Sequence, residues 1–247
     1  MNIALILAGG TGARLGEIVP KQYIEVEGKP IIYFCLETFA VHPKIDAIQI
    51  VADVTWHTYL QCLIENEFMR GKCKGISKKG ENRQTSIWNA LEDILQYASK
   101  EDLVIIHDAV RPFVTAGFIN ESLEKVAGHD GVLPVLPMKD TVYFSKDGNK
   151  VSSLVDRNCM FAGQAPEIFR LGKYYEANRE LLPDEILRIN GSAEPAIISG
   201  MDIVMIEGDE ENFKITTKED LRRFKNKLEW MKFDKTMKAG INDEEQK

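Results

Sequence analysis

The sequence lacks the patterns of several classes of protein. It has no run of 18 apolar residues, so we expect no transmembrane helix. The short apolar stretch near its start has no basic region before it and ends at glycine, which is not the pattern of a signal peptide. Its net charge of −7 argues against non-specific nucleic-acid binding. We therefore expect a cytoplasmic protein that binds neither membranes nor nucleic acid.

Motifs for zinc and nucleophilic chemistry are also missing. The four cysteines show neither C-x-x-C pairing nor even spacing, so we expect reduced thiols, most of them core residues. The four histidines form no cluster with carboxylates, which argues against a zinc site. No G-x-S-x-G motif is present, so no serine nucleophile elbow is predicted.

The order of apolar segments predicts an α/β fold. Short apolar runs alternate with segments of helical period, which is typical of a mostly parallel, twisted sheet with helices on both faces. With 247 residues and 44% hydrophobic content, one large core is expected. The predicted strands cover residues 2–7, 47–52, 73–77, 103–106, 131–136 and 203–206. The predicted helices cover about 30–41, 53–68, 85–97, a segment from 115, 171–181, 192–198 and 217–231.

The alternation breaks at about residues 139–160. Extended segments at 141–144 and 151–155 flank a turn at 146–149, which predicts an inserted β-hairpin. A hairpin here has little core of its own to cover, so we expect an arm that reaches a second subunit. The charged residues 232–247 are predicted to be a frayed tail, which leaves one domain over residues 1–231.

A glycine-rich loop follows the first predicted strand. In Gly9-Gly10-Thr11-Gly12-Ala13-Arg14-Leu15-Gly16, four glycines fall within eight positions, and Lys21 follows. Such glycines let backbone N–H groups line a concavity that suits an anion, and Arg14 and Lys21 add positive charge. The spacing fits neither the G-x-x-x-x-G-K-[ST] loop nor the G-x-G-x-x-G fingerprint. We predict a phosphate-binding loop of another kind; the alternative is a surface turn.

Two later loops also follow predicted strands, where ligands bind in open α/β sheets. Gly80-Glu81-Asn82-Arg83-Gln84-Thr85-Ser86 opens a helix whose N-terminus can receive an anion or a ribose hydroxyl. In His107-Asp108-Ala109-Val110-Arg111-Pro112, Asp108 is placed to hold a hard cation and Arg111 adds a guanidinium. For both loops the alternative is a charged turn or helix cap. His107 is interpreted as a structural residue.

Two further basic residues complete the set of candidate phosphate ligands. Arg157 follows the predicted hairpin, and Lys214 follows the last predicted strand. With Arg14, Lys21 and Arg111, they would surround a triphosphate and a second phosphate. The alternative for each is a solvated surface charge.

These motifs together resemble one enzyme family. Leu7-Ala8-Gly9-Gly10 with Arg14 and Pro20-Lys21-Gln22-Tyr23 resembles the signature loop of nucleotidyltransferases. Together with the loop 107–112 and Asn212-Phe213-Lys214-Ile215-Thr216, it is similar to the polyol-phosphate cytidylyltransferases over about residues 1–230. That family includes enzymes for 2-C-methyl-D-erythritol 4-phosphate and for ribitol 5-phosphate. The resemblance implies a Rossmann-like domain, a hairpin arm exchanged in a homodimer, CTP as co-substrate and Mg²⁺.

The resemblance also implies residue roles. The CTP-binding residues would be Ala8, Gly9, Gly10, Gly12, Gly80, Glu81, Ser86 and Ala109. Asp108 would hold Mg²⁺, and the catalytic residues that stabilise the reacting phosphates would be Arg14, Lys21 and Lys214. The polyol phosphate would be bound by Arg111, Thr141 and Arg157, across the dimer interface. Loss of either Arg14 or Lys21 would then lower turnover by about 10²- to 10³-fold.

Two stretches depart from the family pattern. Gly163-Gln164-Ala165-Pro166-Glu167 stands where members commonly carry threonine–proline–glutamine, so a hydroxyl is lost and a carboxylate gained. Asn190-Gly191-Ser192-Ala193-Glu194-Pro195 stands where they commonly carry threonine–aspartate–glutamate–alanine. Val110 and the pair Gly163-Gln164 favour the ribitol-phosphate branch. The departures leave open another acceptor, such as arabinitol or xylitol phosphate.

Other functional interpretations compete with this one. A nucleotidyltransferase that joins another nucleotide to a sugar 1-phosphate usually has a longer span between the two basic residues than Arg14 to Lys21. A nucleotide-sugar glycosyltransferase would need Asp-x-Asp, which the stretch from Asp108 to Val110 lacks. A non-catalytic CTP-binding relative is disfavoured because Arg14, Lys21, Asp108 and Lys214 occur together.

Overall fold

The computed structural model of the chain describes residues 1–10, 19–65 and 67–244. The strands are β1 (Asn2–Leu7), β2 (Glu25–Val26), β3 (Lys29–Pro30), β4 (Ala47–Ala52), β5 (Cys73–Lys78), β6 (Leu103–Asp108), β7 (Gly131–Pro137), β8 (Val142–Phe144), β9 (Ser153–Val155), β10 (Phe161–Gly163), β11 (Glu167–Arg170) and β12 (Ile203–Glu207). The helices are α1 (Ile31–Val41), α2 (His57–Ile64), α3 (Glu67–Arg70), α4 (Arg83–Ile94), α5 (Ala116–Lys125), α6 (Leu171–Arg179), α7 (Glu194–Ile198) and α8 (Lys218–Glu244).

An eight-stranded sheet forms the centre of the fold. Its order is β10-β7-β11-β6-β1-β4-β5, and β12 pairs with β7. The pairs β1–β4, β1–β6, β4–β5 and β7–β12 are parallel, whereas β11 is antiparallel to both β6 and β7 and β10 is antiparallel to β7. The predicted mostly parallel α/β sheet is therefore confirmed, and the sequence analysis missed β10 and β11.

Helices cover both faces of the sheet. In β1, Ala4 and Ile6 pack into the core that contains residues of α1 and α5, while Ile3 and Leu5 pack into the core that contains residues of α4 and α6. A strand buried on both faces is apolar throughout, which explains the continuous apolar run from residue 3 to residue 6.

Polar caps fix where several helices begin. Thr115 accepts a hydrogen bond from the Phe118 N–H at the start of α5, as its position in the sequence predicts. Asn82 and Thr85 form a reciprocal capping box, so α4 begins at Arg83, two residues earlier than predicted. Asp53 instead caps a 3₁₀ turn, Val54–Trp56, and α2 begins only after it.

Helix ends differ more from the predictions. The predicted helix over 53–68 is wrong, since α2 ends at Ile64 and α3 is a separate turn. The predicted end of the last helix near residue 231 is also wrong, because α8 extends to Glu244. No helix in the described ranges is long and apolar enough to cross a membrane.

The segment between β7 and β10 leaves the main sheet. β8 and β9 pair antiparallel, with Val142 opposite Val155. Large apolar side chains on this hairpin, Tyr143, Phe144 and Leu154, are exposed in the single chain.

Candidate functional site

The carboxyl ends of four parallel strands, β1, β4, β5 and β6, meet at one edge of the sheet. A cavity of about 630 Å³ opens at this edge. Gly9 and Gly10 follow β1, Gly80 follows β5 and Asp108 ends β6, so all four line it. The volume lies in the ordinary range of small-molecule sites.

The cavity brings together most residues that were assigned to CTP and its phosphates. Besides those four, it is lined by Lys21, Glu81, Ser86 and Lys214. Ala8 and Ala109 are fully buried and lie outside the lining. Gly12 and Arg14 lie outside the described residues, so their assigned roles stay predictions.

The residues assigned to the polyol phosphate are not all at the cavity. Thr141 lies exposed immediately before β8, and Arg157 lies after β9, where its Nη1 donates to the Lys139 carbonyl at 2.7 Å. Arg111 is 12% exposed and lies against the cavity residue Asp108. Its Nη1 also donates to the Asn212 carbonyl at 2.8 Å. Within a single chain, Thr141 and Arg157 therefore do not line the cavity.

A buried amide supports the turn after β1. Gln22 Nε2 donates to the carbonyls of Ala8 and Gly10 at 2.6 and 2.8 Å. The neighbouring Lys21 Nζ donates to the Ile215 carbonyl at 2.8 Å, which ties this turn to the loop that carries Lys214. The sequence analysis gave Gln22 no role. Its signal was its place directly after Lys21 in the recognised motif.

The loop after β5 is closed by its own hydrogen bonds. The Gly80 N–H donates to Ser86 Oγ at 2.9 Å, and Ser86 Oγ donates to the Asn82 carbonyl at 2.7 Å. The Ser86 hydroxyl therefore holds the shape of the cavity wall. The capping box of α4 closes the same turn from the other side.

We expect Gly80→Ala to destabilise this loop. A Cβ at residue 80 would lie 2.6 Å from Thr85 Cβ and 2.7 Å from the Thr85 backbone carbon, which cannot move without breaking the α4 cap. Overpacking of this kind costs about 1–3 kcal/mol. Thermal melts should show a fall of roughly 2–12 °C.

Gly71→Ala is the matched control, because a Cβ at residue 71 meets nothing within 4 Å. Its melting temperature should stay near that of the unmodified protein. An unchanged melting temperature for Gly80→Ala would contradict the tight loop.

Asp108 lies at the centre of a charged group that we call the Asp108 cluster: Asp108, Arg83, Arg111 and Lys214. Its Oδ1 accepts from Arg83 Nη1 at 2.6 Å, and its Oδ2 lies 3.2 Å from Arg111 Nε and 3.1 Å from Lys214 Nζ. Burial alone would raise the pKa of Asp108, but the three cations hold it well below its usual range. Asp108 is therefore a carboxylate throughout the physiological range.

Sequence reasoning missed Arg83 as a functional residue. It is the first residue of α4 and it lines the cavity. Burial opposes its charge, but Asp108 and then Glu167 raise its pKa, so the guanidinium stays charged. The available signal was an arginine at a helix start, directly after a glycine-opened loop at the carboxyl end of a strand.

His107 is a structural residue, as the sequence analysis interpreted it. It is fully buried, its Nε2 lies 3.0 Å from the Arg111 carbonyl, and its ring packs edge-on against Phe39. Burial lowers the pKa of His107 to about 4. The imidazole is therefore neutral at pH 7. Its contact with the Arg111 carbonyl joins the loop that carries Arg111 to strand β6.

The buried neutral His107 predicts a loss of stability in acid. The unfolded chain takes up this proton near pH 6.5, but the native chain does so only near pH 4. Unfolding is therefore increasingly favoured as pH falls from 6.5 to 4, by about 2 kcal/mol at pH 5. Urea unfolding at pH 7.5 and pH 5 should show this difference, and His107→Gln should be less sensitive to pH by that amount. Equal pH sensitivity of the two proteins would contradict the buried neutral state.

Among the described residues, two carboxylates line the cavity, Glu81 and the predicted metal ligand Asp108. Among the described residues, no group of three or more histidine, cysteine, aspartate or glutamate side chains is arranged to hold a metal ion. Mg²⁺ in nucleotide sites commonly takes one or two carboxylates and completes its shell with phosphate oxygens and water. Among the described residues, Asp108 Oδ1 accepts from Arg83 alone, which leaves it capacity for a second partner. The donor set fits a magnesium–nucleotide complex better than a metal bound by protein alone.

An open α/β sheet that presents glycine loops and cations around a cavity at its carboxyl edge is the arrangement of a nucleotide-binding enzyme. Comparison with known families identifies the class. Residues 2–229 match the family model described as 2-C-methyl-D-erythritol 4-phosphate cytidylyltransferase. The chain belongs to this family of nucleotidyltransferases.

Similar proteins include enzymes with two different acceptor names. A ribitol-5-phosphate cytidylyltransferase of Streptococcus agalactiae serotype V is 34% identical over 226 residues, which cover 91% of this chain and 94% of that protein. One from Streptococcus pneumoniae serotype 2 is 33% identical over 93% of this chain and 99% of that protein. The solved 2-C-methyl-D-erythritol 4-phosphate cytidylyltransferase of Francisella tularensis is 25% identical, with a TM-score of 0.73 over 90% of this chain and 97% of that one.

Proposed function

We propose that this enzyme transfers a cytidylyl group from CTP to a polyol phosphate, giving a CDP-polyol and pyrophosphate. The observation that carries the proposal is the Asp108 cluster beside two glycine loops in one cavity. Membership of the cytidylyltransferase family supports the base and the reaction type.

The proposed reaction is a single displacement at phosphorus. A phosphate oxygen of the polyol phosphate attacks the α-phosphorus of CTP and forms a new P–O bond. The bond between the α-phosphorus and the bridging oxygen breaks, and pyrophosphate leaves with that electron pair. A phosphate monoester is largely ionised at neutral pH, so the nucleophile needs no general base. This agrees with a cavity whose nearby histidine, His107, is buried and neutral.

Catalysis then rests on alignment and on positive charge around the transition state. Lys21, Lys214 and Arg14 would stabilise the α-phosphate and the departing pyrophosphate. Asp108 would hold Mg²⁺ with the triphosphate, and the metal would neutralise phosphate charge when bound. The Lys214 side chain is 40% exposed, which gives it room to leave Asp108 for a phosphate. Arg111 would bind the polyol phosphate.

Ribitol 5-phosphate is the acceptor we favour. The relatives with 34% and 33% identity carry that name, whereas the solved methylerythritol enzyme above is 25% identical. 2-C-methyl-D-erythritol 4-phosphate is the second candidate, because the matching family model carries its name.

Pyrophosphate release tests the function. The purified protein is mixed with CTP, Mg²⁺ and one of ribitol 5-phosphate, methylerythritol 4-phosphate, arabinitol phosphate, xylitol phosphate or glycerol phosphate. We expect release with ribitol 5-phosphate that exceeds release with each other acceptor. Release with none of them would refute a polyol acceptor, and equal release with UTP or ATP would refute the assignment of CTP. Omission of Mg²⁺ should abolish the reaction.

We also propose a cytoplasmic homodimer joined through the β8–β9 hairpin. Tyr143 and Leu154 are 60% and 67% exposed in one chain, a degree of apolar exposure that favours contact with a partner. Contact with a second copy would bring Thr141 and Arg157 toward the partner's cavity. Light scattering should give twice the chain mass, and Tyr143→Ser with Leu154→Ser should give the monomer. A monomeric unmodified protein would refute the arm contact.

A further inference from the structure

Arg83 has a second anchor behind the cavity. Its Nη1 donates to Asp108, and its Nη2 donates to Ser192 Oγ at 3.2 Å. Ser192 is buried, and its carbonyl accepts from the Tyr174 hydroxyl at 2.6 Å. Tyr174 is itself fully buried and stacked on Phe169. Ser192 is therefore a rigidly held hydrogen-bond acceptor for the Arg83 guanidinium.

A carboxyl lies behind Ser192. Glu167 is the first residue of β11 and pairs with Ile106, two residues before Asp108 on β6. It is 9% exposed, and burial raises its pKa while the neighbouring Ser192 side chain lowers it. Among the described residues, Glu167 Oε2 has no hydrogen-bond partner, so it is available to accept from the Ser192 hydroxyl. A serine hydroxyl can accept from one group and donate to another, so Ser192 can accept from Arg83 while it donates to Glu167.

We propose that Glu167 and Ser192 are positioning residues that act through Arg83 to hold the Asp108 carboxylate in its reactive orientation. The proposal rests on the cytidylyltransferase function proposed above. Neither residue lines the cavity, so neither touches substrate in this account.

The physical reason is the freedom of a long side chain. An arginine loses rotamer entropy when it is held in one geometry, and a second hydrogen bond helps to offset that loss. The Arg83 side chain is 30% exposed beside a cavity that would hold phosphates, which compete with Asp108 for its N–H groups. The bond to Ser192 keeps the guanidinium plane fixed, and Glu167 keeps the Ser192 hydroxyl pointed so that its lone pair faces Arg83.

We call the sequence of contacts from Glu167 through Ser192 to Arg83 the relay. Steady-state kinetics of variants test it. Ser192→Ala and Glu167→Ala should each lower kcat by about 10- to 100-fold, as is typical for supporting residues. The double variant should lose no more than the stronger single variant, because both changes break one chain of contacts. Glu167→Gln keeps an oxygen that accepts from Ser192, so it should recover most of the activity lost in Glu167→Ala.

The affinity of the variants for CTP distinguishes a positioning role from general disruption of the site. Calorimetric dissociation constants for CTP without metal should change less than about threefold in both alanine variants, because the loss is confined to the reacting complex. Ser122→Ala removes a buried serine hydroxyl that bonds only within α5, to the Phe118 carbonyl among the described residues, and should leave kcat unchanged.

Three results would overturn the relay: wild-type kcat in Ser192→Ala, additive losses in the double variant, or a Glu167→Gln variant as slow as Glu167→Ala. Failure of the proposed function is distinct, since then the unmodified protein itself would release no pyrophosphate.

Discussion

Replacing Asp108 by asparagine is expected to lower turnover by about 10²- to 10³-fold, the size of effect seen when a preorganised charged group is lost from a reaction centre. The substitution keeps the size of the side chain but removes its charge. Arg83, Arg111 and Lys214 then lose the anion that holds them together, and the site loses its candidate metal ligand. Loss of one partner from a buried ion pair costs roughly 3–5 kcal/mol, so the free energy of unfolding should fall as well.

The same variant should bind CTP without metal at least as tightly as the unmodified protein. The three cations no longer share their charge with a carboxylate, and the triphosphate is the strongest remaining anion. Opposite effects on binding and turnover would separate a role in chemistry from loss of the fold. Calorimetry and pyrophosphate release at a temperature where the variant stays folded would measure both.

Asp102→Asn is the matched control for Asp108→Asn. Asp102 precedes the same strand at the opposite edge of the sheet and pairs with the amino group of Met1. We expect full turnover from that variant. Wild-type turnover in Asp108→Asn would exclude Asp108 from the reaction.

The sequence was sufficient for the strands that build the sheet centre. β1, β4 and β6 are almost wholly buried and mostly apolar, with runs at 3–7, 50–52 and 103–106 that predict strands from the local sequence. β11 has only four residues and begins with Glu167, a charge that a local pattern assigns to a loop. Its strand character comes from pairing with β6 and β7, which no local pattern reports.

The candidate site was predictable where its residues adjoin glycine loops. Gly9, Gly80 and Asp108 meet because parallel strands end at one edge. The network behind them was not predictable, because Arg83 and Ser192 are 109 residues apart and meet only through the fold. A single arginine at a helix start gives no sign of such a partner.

The two departures from the family pattern meet at Arg83. Ser192, in the second stretch, accepts from Arg83, and Glu167, in the first stretch, lies beside Ser192. Ala165, by contrast, is 3% exposed, and its carbonyl accepts from Asn212 Nδ2 at 2.8 Å. Within the described cavity, the departures therefore change the support of the Asp108 cluster. The choice of acceptor by these stretches stays a prediction for the substrate panel.

Lys21→Ala is expected to lower turnover by about 10²- to 10³-fold. Lys21 lines the cavity, and its Nζ donates to the Ile215 carbonyl, so its charge is held beside the loop of Lys214. In the proposed displacement, negative charge grows on the oxygens around the α-phosphorus. An ammonium held beside these oxygens stabilises that charge in the transition state. The same loss is predicted for Arg14→Ala.

Two variants separate the charge of Lys21 from its packing. Lys21→Met keeps the length of the side chain without the ammonium, so it should be as slow as Lys21→Ala if charge is what matters. Lys225→Ala removes an exposed lysine on α8 and should leave turnover unchanged. If Lys21→Met instead regained most of the activity, the side chain would act by holding the turn after β1, and transition-state charge would have to come from other cations of the cavity.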